Sequence, residues 1–187
     1  FSPSIFGPAN ETIPGNPKKL REGDTIELPN LGLQFRILDV PGHTAGHIAY
    51  VGHGAVFCGD TLFSVGCGRL FEGTAEQMHR SLSKLAALPP DTLVYCTHEY
   101  TLANVKFAQV VEPNNMNLQA YAERCRQLRA ADRETLPSNI GLEHSVNPFL
   151  RATCDTVKRS AEAHEGRALQ SATEVFAAVR AWKDGFK

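Results

Sequence analysis

The chain has 187 residues with 19 Lys and Arg against 20 Asp and Glu, a formal balance of −1 with the histidines neutral, which excludes a general polyanion binder and with it nucleic acid as a partner. At 42% hydrophobic and 21% charged it has the composition of a packed chain, and its length fits one domain, or one and a small second. No apolar run approaches the roughly 18 to 20 residues of a membrane helix, and FSPSIFGPAN has neither a basic start nor a long apolar stretch, so the expectation is a cytoplasmic protein without membrane contact. The five cysteines, Cys58, Cys67, Cys96, Cys125 and Cys154, are odd in number and never form C-x-x-C. That argues against a disulfide framework or a zinc ribbon, and for reduced, mostly buried thiols. The chain opens at Phe1 in a stretch rich in Pro and Gly, as expected of the remainder of a longer polypeptide.

In chain order, Asp24 to Leu28 and Leu33 to Val40 read as a hairpin around Pro29-Asn30, and His47 to Val51 and Ala55 to Cys58 as a second around Gly52-His53-Gly54. Gly59 to Gly73 is Gly-rich and reads as an irregular functional loop. Thr74 and Gln77 have capping-box spacing, and Met78, Leu82 and Leu85 give the following helix one apolar face until Pro89-Pro90. Leu93 to Cys96 is a short strand, followed by a helix from about Thr101 to Val111. Beyond Pro113 the pattern becomes helical: Leu118 to Arg129, Thr153 to His164 and Ala172 to Lys183, with a loop from Pro137 to Pro148. Strands followed by helices predict an α/β part and then a helical part.

Three metal-competent side chains each follow a predicted strand: His43 in PGHTAGH, Asp60 in CGDT and His98 in CTHEY. Side chains at strand ends can converge on one rim of a sheet. Two imidazoles and a carboxylate suit zinc, iron or manganese, and a carboxylate can bridge two ions, so the chemistry indicated is metal-assisted hydrolysis. Their wide spacing is not a local ligand pattern, and ordinary turn polarity is the simpler alternative from spacing alone.

PGHTAGH, FCGDTLF and THEYT together resemble the second, third and fourth ligand motifs of the metallo-β-lactamase superfamily. GCGRLFEGTAEQM and VRAWKDGFK narrow the resemblance to its glyoxalase II family, the hydroxyacylglutathione hydrolases. The resemblance implies an α+β fold, an αββα sandwich with its N-terminal half incomplete, joined to a C-terminal helical domain. The division falls into residues 1–112, the partial metallo-β-lactamase-like domain, and residues 113–187, the helical glutathione-binding domain. It implies two divalent metal ions, zinc foremost with iron or manganese as alternatives, with His43 on one, His98 on the other and the catalytic Asp60 bridging both. Arg69, Phe71, Tyr100, Arg180 and Lys183 take positions that face the substrate, with Phe71 standing where some relatives have tyrosine. The activity implied is hydrolysis of S-(2-hydroxyacyl)glutathione thioesters to glutathione and a 2-hydroxy acid such as D-lactate.

The family's opening motif, T-H-x-H-x-D-H, supplies most of the metal ligands and does not occur in these 187 residues. With His43, Asp60 and His98 alone, each ion keeps two protein ligands, below the three usual for catalytic zinc. The expectation is weak metal binding and impaired catalysis by the chain alone, with exposed apolar faces that favour self-association where the complete enzyme would be a monomer. A single-iron persulfide dioxygenase on the same scaffold and a non-catalytic fragment are the competing readings. His47 reads as structural, and His53, His79, His144 and His164 as without function. Asp39 and Glu99 flank ligands and are candidates for tuning them. Cys67 reads as a small residue in a tight backbone path.

Overall fold

The computed structural model describes residues 4–15 and 17–186. Two short strands, β1 (Phe6–Pro8) and β2 (Lys18–Leu20), pair in parallel. β3 (Thr25–Leu28) and β4 (Leu33–Asp39) form the first expected hairpin, and β5 (Ile48–Gly52) and β6 (Ala55–Gly59) the second. His53 and Gly54 turn the second at positive φ, the conformation that a tight hairpin demands. The expected irregular loop contains a small hairpin, β7 (Leu62–Phe63) with β8 (Gly66–Cys67); strands this short are below the length at which alternation registers.

Helix α1 (Ala75–Ala86) starts on the expected capping box, with Thr74 Oγ1 accepting from the Gln77 N–H and Gln77 Oε1 from the Thr74 N–H. β9 (Leu93–Cys96) and α2 (Thr101–Val111) follow as expected. α3 (Met116–Ala130) starts ahead of Leu118 because the Asn115 side chain accepts from the Leu118 N–H. The expected loop from Pro137 to Pro148 is a correction. It holds β10 (Ser138–Asn139) and a short helix α4 (Ile140–Val146), N-capped by Asn139 on the Leu142 N–H. Gly141 and the small polar and β-branched residues are poor helix formers, so this helix depends on packing, with Ile140, Glu143 and Val146 buried. α5 (Asp155–Glu165) and α6 (Ala172–Gly185) complete the chain.

Six strands form one sheet in the order β10-β9-β6-β5-β4-β3, antiparallel except where β6 and β9 run parallel. Period-two alternation sorts its side chains. Leu38, Val40, Ala49, Val56, Cys58 and Val94 face the main core, shared with Leu82 and Leu85 of α1, Phe107 of α2 and Phe176 of α6. On the other face, Ile26, Ile37 and Ile48 pack with Leu20, Phe6 and Tyr50. That face is thinly covered: Phe57 is 43% exposed and Leu93 and Tyr95 are each 39% exposed, with the Phe57 and Tyr95 rings stacked at 5.1 Å. A third cluster joins Val65 of the small hairpin to Val105, Leu118, Ala122 and Val146 of the helices. All five cysteines are free thiols, with Cys58, Cys67 and Cys125 buried. No helix among the described residues is long and apolar enough to cross a membrane.

Candidate metal centre and substrate cleft

β5 is antiparallel to both β4 and β6, and β6 is parallel to β9, so β4, β6 and β9 all run in one direction. The residues that follow them, carrying His43, Asp60 and His98, therefore emerge at one rim of the sheet. Glycine makes the crowding there tolerable. Gly59 has φ +54, and a Cβ on it would lie 2.2 Å from His47 Nε2; a Cβ on Gly68 would lie 1.9 Å from the Asp60 carbonyl oxygen.

Each of the three donors is oriented by a neighbour. His43 Nδ1 lies 2.9 Å from the Arg69 carbonyl oxygen, so Nδ1 carries the proton and Nε2 is left with its lone pair. Asp60 Oδ1 accepts from Thr97 Oγ1 at 2.9 Å and lies 3.6 Å from His98 Nε2. His47 Nε2 accepts the Asp60 N–H at 3.2 Å, and burial holds this imidazole below its ordinary pKa, in the neutral form that can accept. His47 is thus a backbone anchor for the Asp60 turn.

The loop carrying His43 is braced by two acidic residues that the sequence did not single out. Glu11 Oε1 accepts from the Thr44 hydroxyl and the Gly46 N–H, and Glu72 Oε2 accepts from the Ala45 N–H. Both are distant in sequence from what they hold, so no local pattern announces them. Glu99, by contrast, turns away to Thr135, whose N–H and hydroxyl it accepts. The remaining histidines are engaged elsewhere: His53 accepts the Gln34 N–H, His79 meets Thr173, His144 meets the Ala86 carbonyl oxygen, and His164 stacks on Trp182 at 4.1 Å.

The three donors open into a cleft of about 640 Å³ whose lining includes Arg69, Phe71, Tyr100, Arg180 and Lys183. All eight residues singled out in the sequence therefore meet in one cavity. Phe71 is 4.8 Å from the His43 ring, and Tyr100 is 5.2 Å from the His98 ring. The cations differ from one another. Arg69 is exposed and 3.9 Å from Asp184 Oδ1. Arg180 is 5% exposed, donates to the Cys67 carbonyl oxygen at 3.0 Å and to Asp184 Oδ1 at 2.9 Å, and lies over the Phe149 ring. Lys183 donates to the Ala103 carbonyl oxygen at 3.2 Å beside the rings of Phe107 and Phe186. Burial, with Arg180 and Arg69 nearby, pulls its pKa down to about 8. Asp184, Phe63 and Asn104 also line the cleft, and none was anticipated.

No group of three or more His, Cys, Asp or Glu side chains among the described residues holds the geometry of a complete ion site. The donor set nonetheless suits a shared centre in part. A carboxylate with one oxygen fixed by Thr97 can be shared between ions, and an imidazole with Nδ1 engaged presents Nε2, the arrangement that orients metal-binding histidines. Around a pair of ions these residues would supply two protein donors to each.

Residues 2–98 match the family model described as the metallo-beta-lactamase superfamily, and residues 99–186 match the hydroxyacylglutathione hydrolase C-terminus. The hydroxyacylglutathione hydrolase of Nitrosomonas eutropha is 52% identical over 100% of this chain and 73% of its own length. That of Pseudomonas fluorescens is 56% identical over 97% of this chain and 71% of its own length. Among solved structures, ETHE1 from Myxococcus xanthus superposes with a TM-score of 0.57 at 26% identity, covering 96% of this chain and 65% of that one. A Staphylococcus aureus metallo-beta-lactamase, at 17% identity and a TM-score of 0.53 over 97% of this chain and 47% of that one, shares the fold. With the rim of strand-end donors continuous with a cationic cleft on the last helix, the chain belongs to the hydroxyacylglutathione hydrolase family of the metallo-β-lactamase superfamily.

Proposed function

We propose that the cleft hydrolyses S-(2-hydroxyacyl)glutathione thioesters, releasing glutathione and a 2-hydroxy acid. The observation that carries this reading is the single cavity shared by His43, Asp60 and His98 with Arg69, Arg180 and Lys183. Members of the family use divalent metal, and the donors here would be His43 on one ion, His98 on the other and Asp60 on both, with zinc the best chemical match to this donor set. Bound ions supply an activated water at neutral pH and a positive centre for the developing oxyanion.

The chain's own residues do the rest. Thr97 and the Arg69 carbonyl hold Asp60 and His43 in their rotamers, so no reorganisation is needed on binding. Arg69 and Lys183 receive the carboxylates of the tripeptide. Arg180, whose Nη groups are taken by Cys67 and Asp184, contributes its field and fixes the wall. Phe71 and Tyr100 flank the acyl group, and the leaving thiol, with an ordinary pKa near 8.5, departs as thiolate without a dedicated acid. Residues 113–187 act as the glutathione-binding part, and the cytoplasm is the compartment that supplies such a thiol.

Thiol release from S-D-lactoylglutathione by the metal-loaded protein, above a control of metal alone, is the test. Absence of release with two ions bound per chain would sink the reading. Identity of 52% over the whole chain to a hydrolase favours it over single-iron persulfide oxidation, which would be revealed by oxygen uptake with glutathione persulfide.

A further inference from the structure

Glu143 is 0% exposed and lies outside the chemistry described so far. Its Oε2 accepts the Val65 N–H and the Asn147 Nδ2 amide, both at 2.8 Å, while Oε1 has no hydrogen-bond partner among the described residues. Asn147 Nδ2 also reaches the Gly66 carbonyl oxygen at 3.0 Å and that of Phe63 at 3.3 Å. Asn104 Nδ2 takes the Ser64 carbonyl oxygen at 3.0 Å, the Ser64 hydroxyl meets Tyr121 OH at 3.0 Å, and Arg180 takes the Cys67 carbonyl oxygen. Each residue from Phe63 to Cys67 is thus held by a side chain from α2, α3, α4, the C-cap of α4 or α6.

The segment needs such holding. Val65 has φ +57, a left-handed conformation that a β-branched residue adopts only when its surroundings over-determine it. The same segment supplies Phe63 and Cys67 to the wall of the cleft and begins directly after the Asp60 turn. Burial pushes the Glu143 carboxyl up to about 6, and no cation faces it among its hydrogen-bond partners, so what the site draws from Glu143 is an acceptor atom.

We propose that Glu143, with Asn147, is a positioning residue for the cleft, an acceptor that clamps the Phe63–Cys67 wall to the C-terminal helices and thereby sets substrate affinity. The affinity part rests on the thioester hydrolase reading, whereas the clamp itself does not. Hydrogen exchange and steady-state kinetics on the metal-loaded protein separate the two. In the unsubstituted protein the Val65 amide is expected to exchange as slowly as the buried amides of α4; exchange at the rate of an open loop would overturn the clamp without any variant being made. Glu143→Leu removes the acceptor, and Val65 protection should fall roughly tenfold or more, the scale of leaving a buried N–H without its acceptor. KM for the thioester should rise severalfold with kcat less affected. Glu143→Gln keeps a carbonyl oxygen and should restore both to within about twofold. Protection and KM unchanged in the leucine variant, or both lost in the glutamine variant, would overturn the proposal. Absence of thioester turnover alongside an intact exchange pattern would instead overturn the hydrolase reading and leave the clamp as a packing device.

Discussion

Arg180 and Lys183 sit one turn apart on α6 and line the same cleft, yet they are different kinds of cation. Arg180 is buried and its Nη groups are already bonded to Cys67 and Asp184; Lys183 makes one backbone contact and is half-buried against Phe107 and Phe186. The rim of donors shows the same division: Asp60 presents its carboxylate to the cleft, while His47 behind it is spent on the Asp60 N–H. In both places one residue presents its charged group to the cleft, while a neighbour's polar atoms are engaged in holding the surrounding backbone. Residue type and spacing alone cannot say which is which, because the division is made by burial.

The sharpest way to break this division is Asp60→Ala. If Asp60 is the shared donor, metal content should fall well below that of the unsubstituted protein and kcat by at least on the order of 100-fold, the scale of one preorganised charge-stabilising group; elemental analysis with a thiol-release assay reads both. The two cations should then separate. Arg180→Ala should lower stability by about 2 kcal/mol, the scale of hydrogen bonds to a charged group, a fall of roughly 4 to 8 °C in Tm for a chain of this size. Lys183→Ala should leave Tm nearly unchanged and raise KM about tenfold, about 1.4 kcal/mol, with kcat little altered. Equal effects of the two substitutions on Tm would collapse the distinction.

Glu143 is a fully buried carboxyl on the fixing side, and its effect on stability has a sign. Its folded pKa, pushed by burial to about 6 from 4.5, is raised, so the ionised form is penalised in the folded state. The penalty is present above about pH 6 and is relieved as pH falls toward the unfolded value. The Tm of Glu143→Gln relative to the unsubstituted protein should therefore climb between pH 5 and pH 7 and then level off. A pH-independent difference would mean that the carboxyl is not burdened by burial.

Much of this architecture was legible because its signals are local. The capping box at Thr74 and Gln77, the turn at His53-Gly54 and the alternating strands each occupy a few consecutive residues. The convergence of His43, Asp60 and His98 on one cleft was legible through motifs. The illegible parts are those whose partners lie far away in sequence: Glu11 and Glu72 bracing the His43 loop, the Phe63–Cys67 hairpin held from α2, α3, α4 and α6, and α4 itself, which weak helix formers build only against a core. Asp184 was overlooked for a related reason. As the acidic neighbour of a basic pair on an exposed helix end it reads as solvated surface; its i,i+4 bond to Arg180 is local, and only the fold brings Arg69 against it as well.

The smallest effect probes Lys183 as the ligand-facing member of its pair. Its pKa, drawn down to about 8 by burial and the neighbouring arginines, means that the side chain is cationic at neutral pH and loses its charge as pH passes 8. If anionic substrate is held by the charged form, KM should be flat below about pH 7 and rise above pH 8, by no more than the increase seen in Lys183→Ala. In that variant the rise should vanish, since no ammonium is left to titrate. A rise that persists without Lys183 would place the titrating group elsewhere and remove the assignment of Lys183 to the substrate.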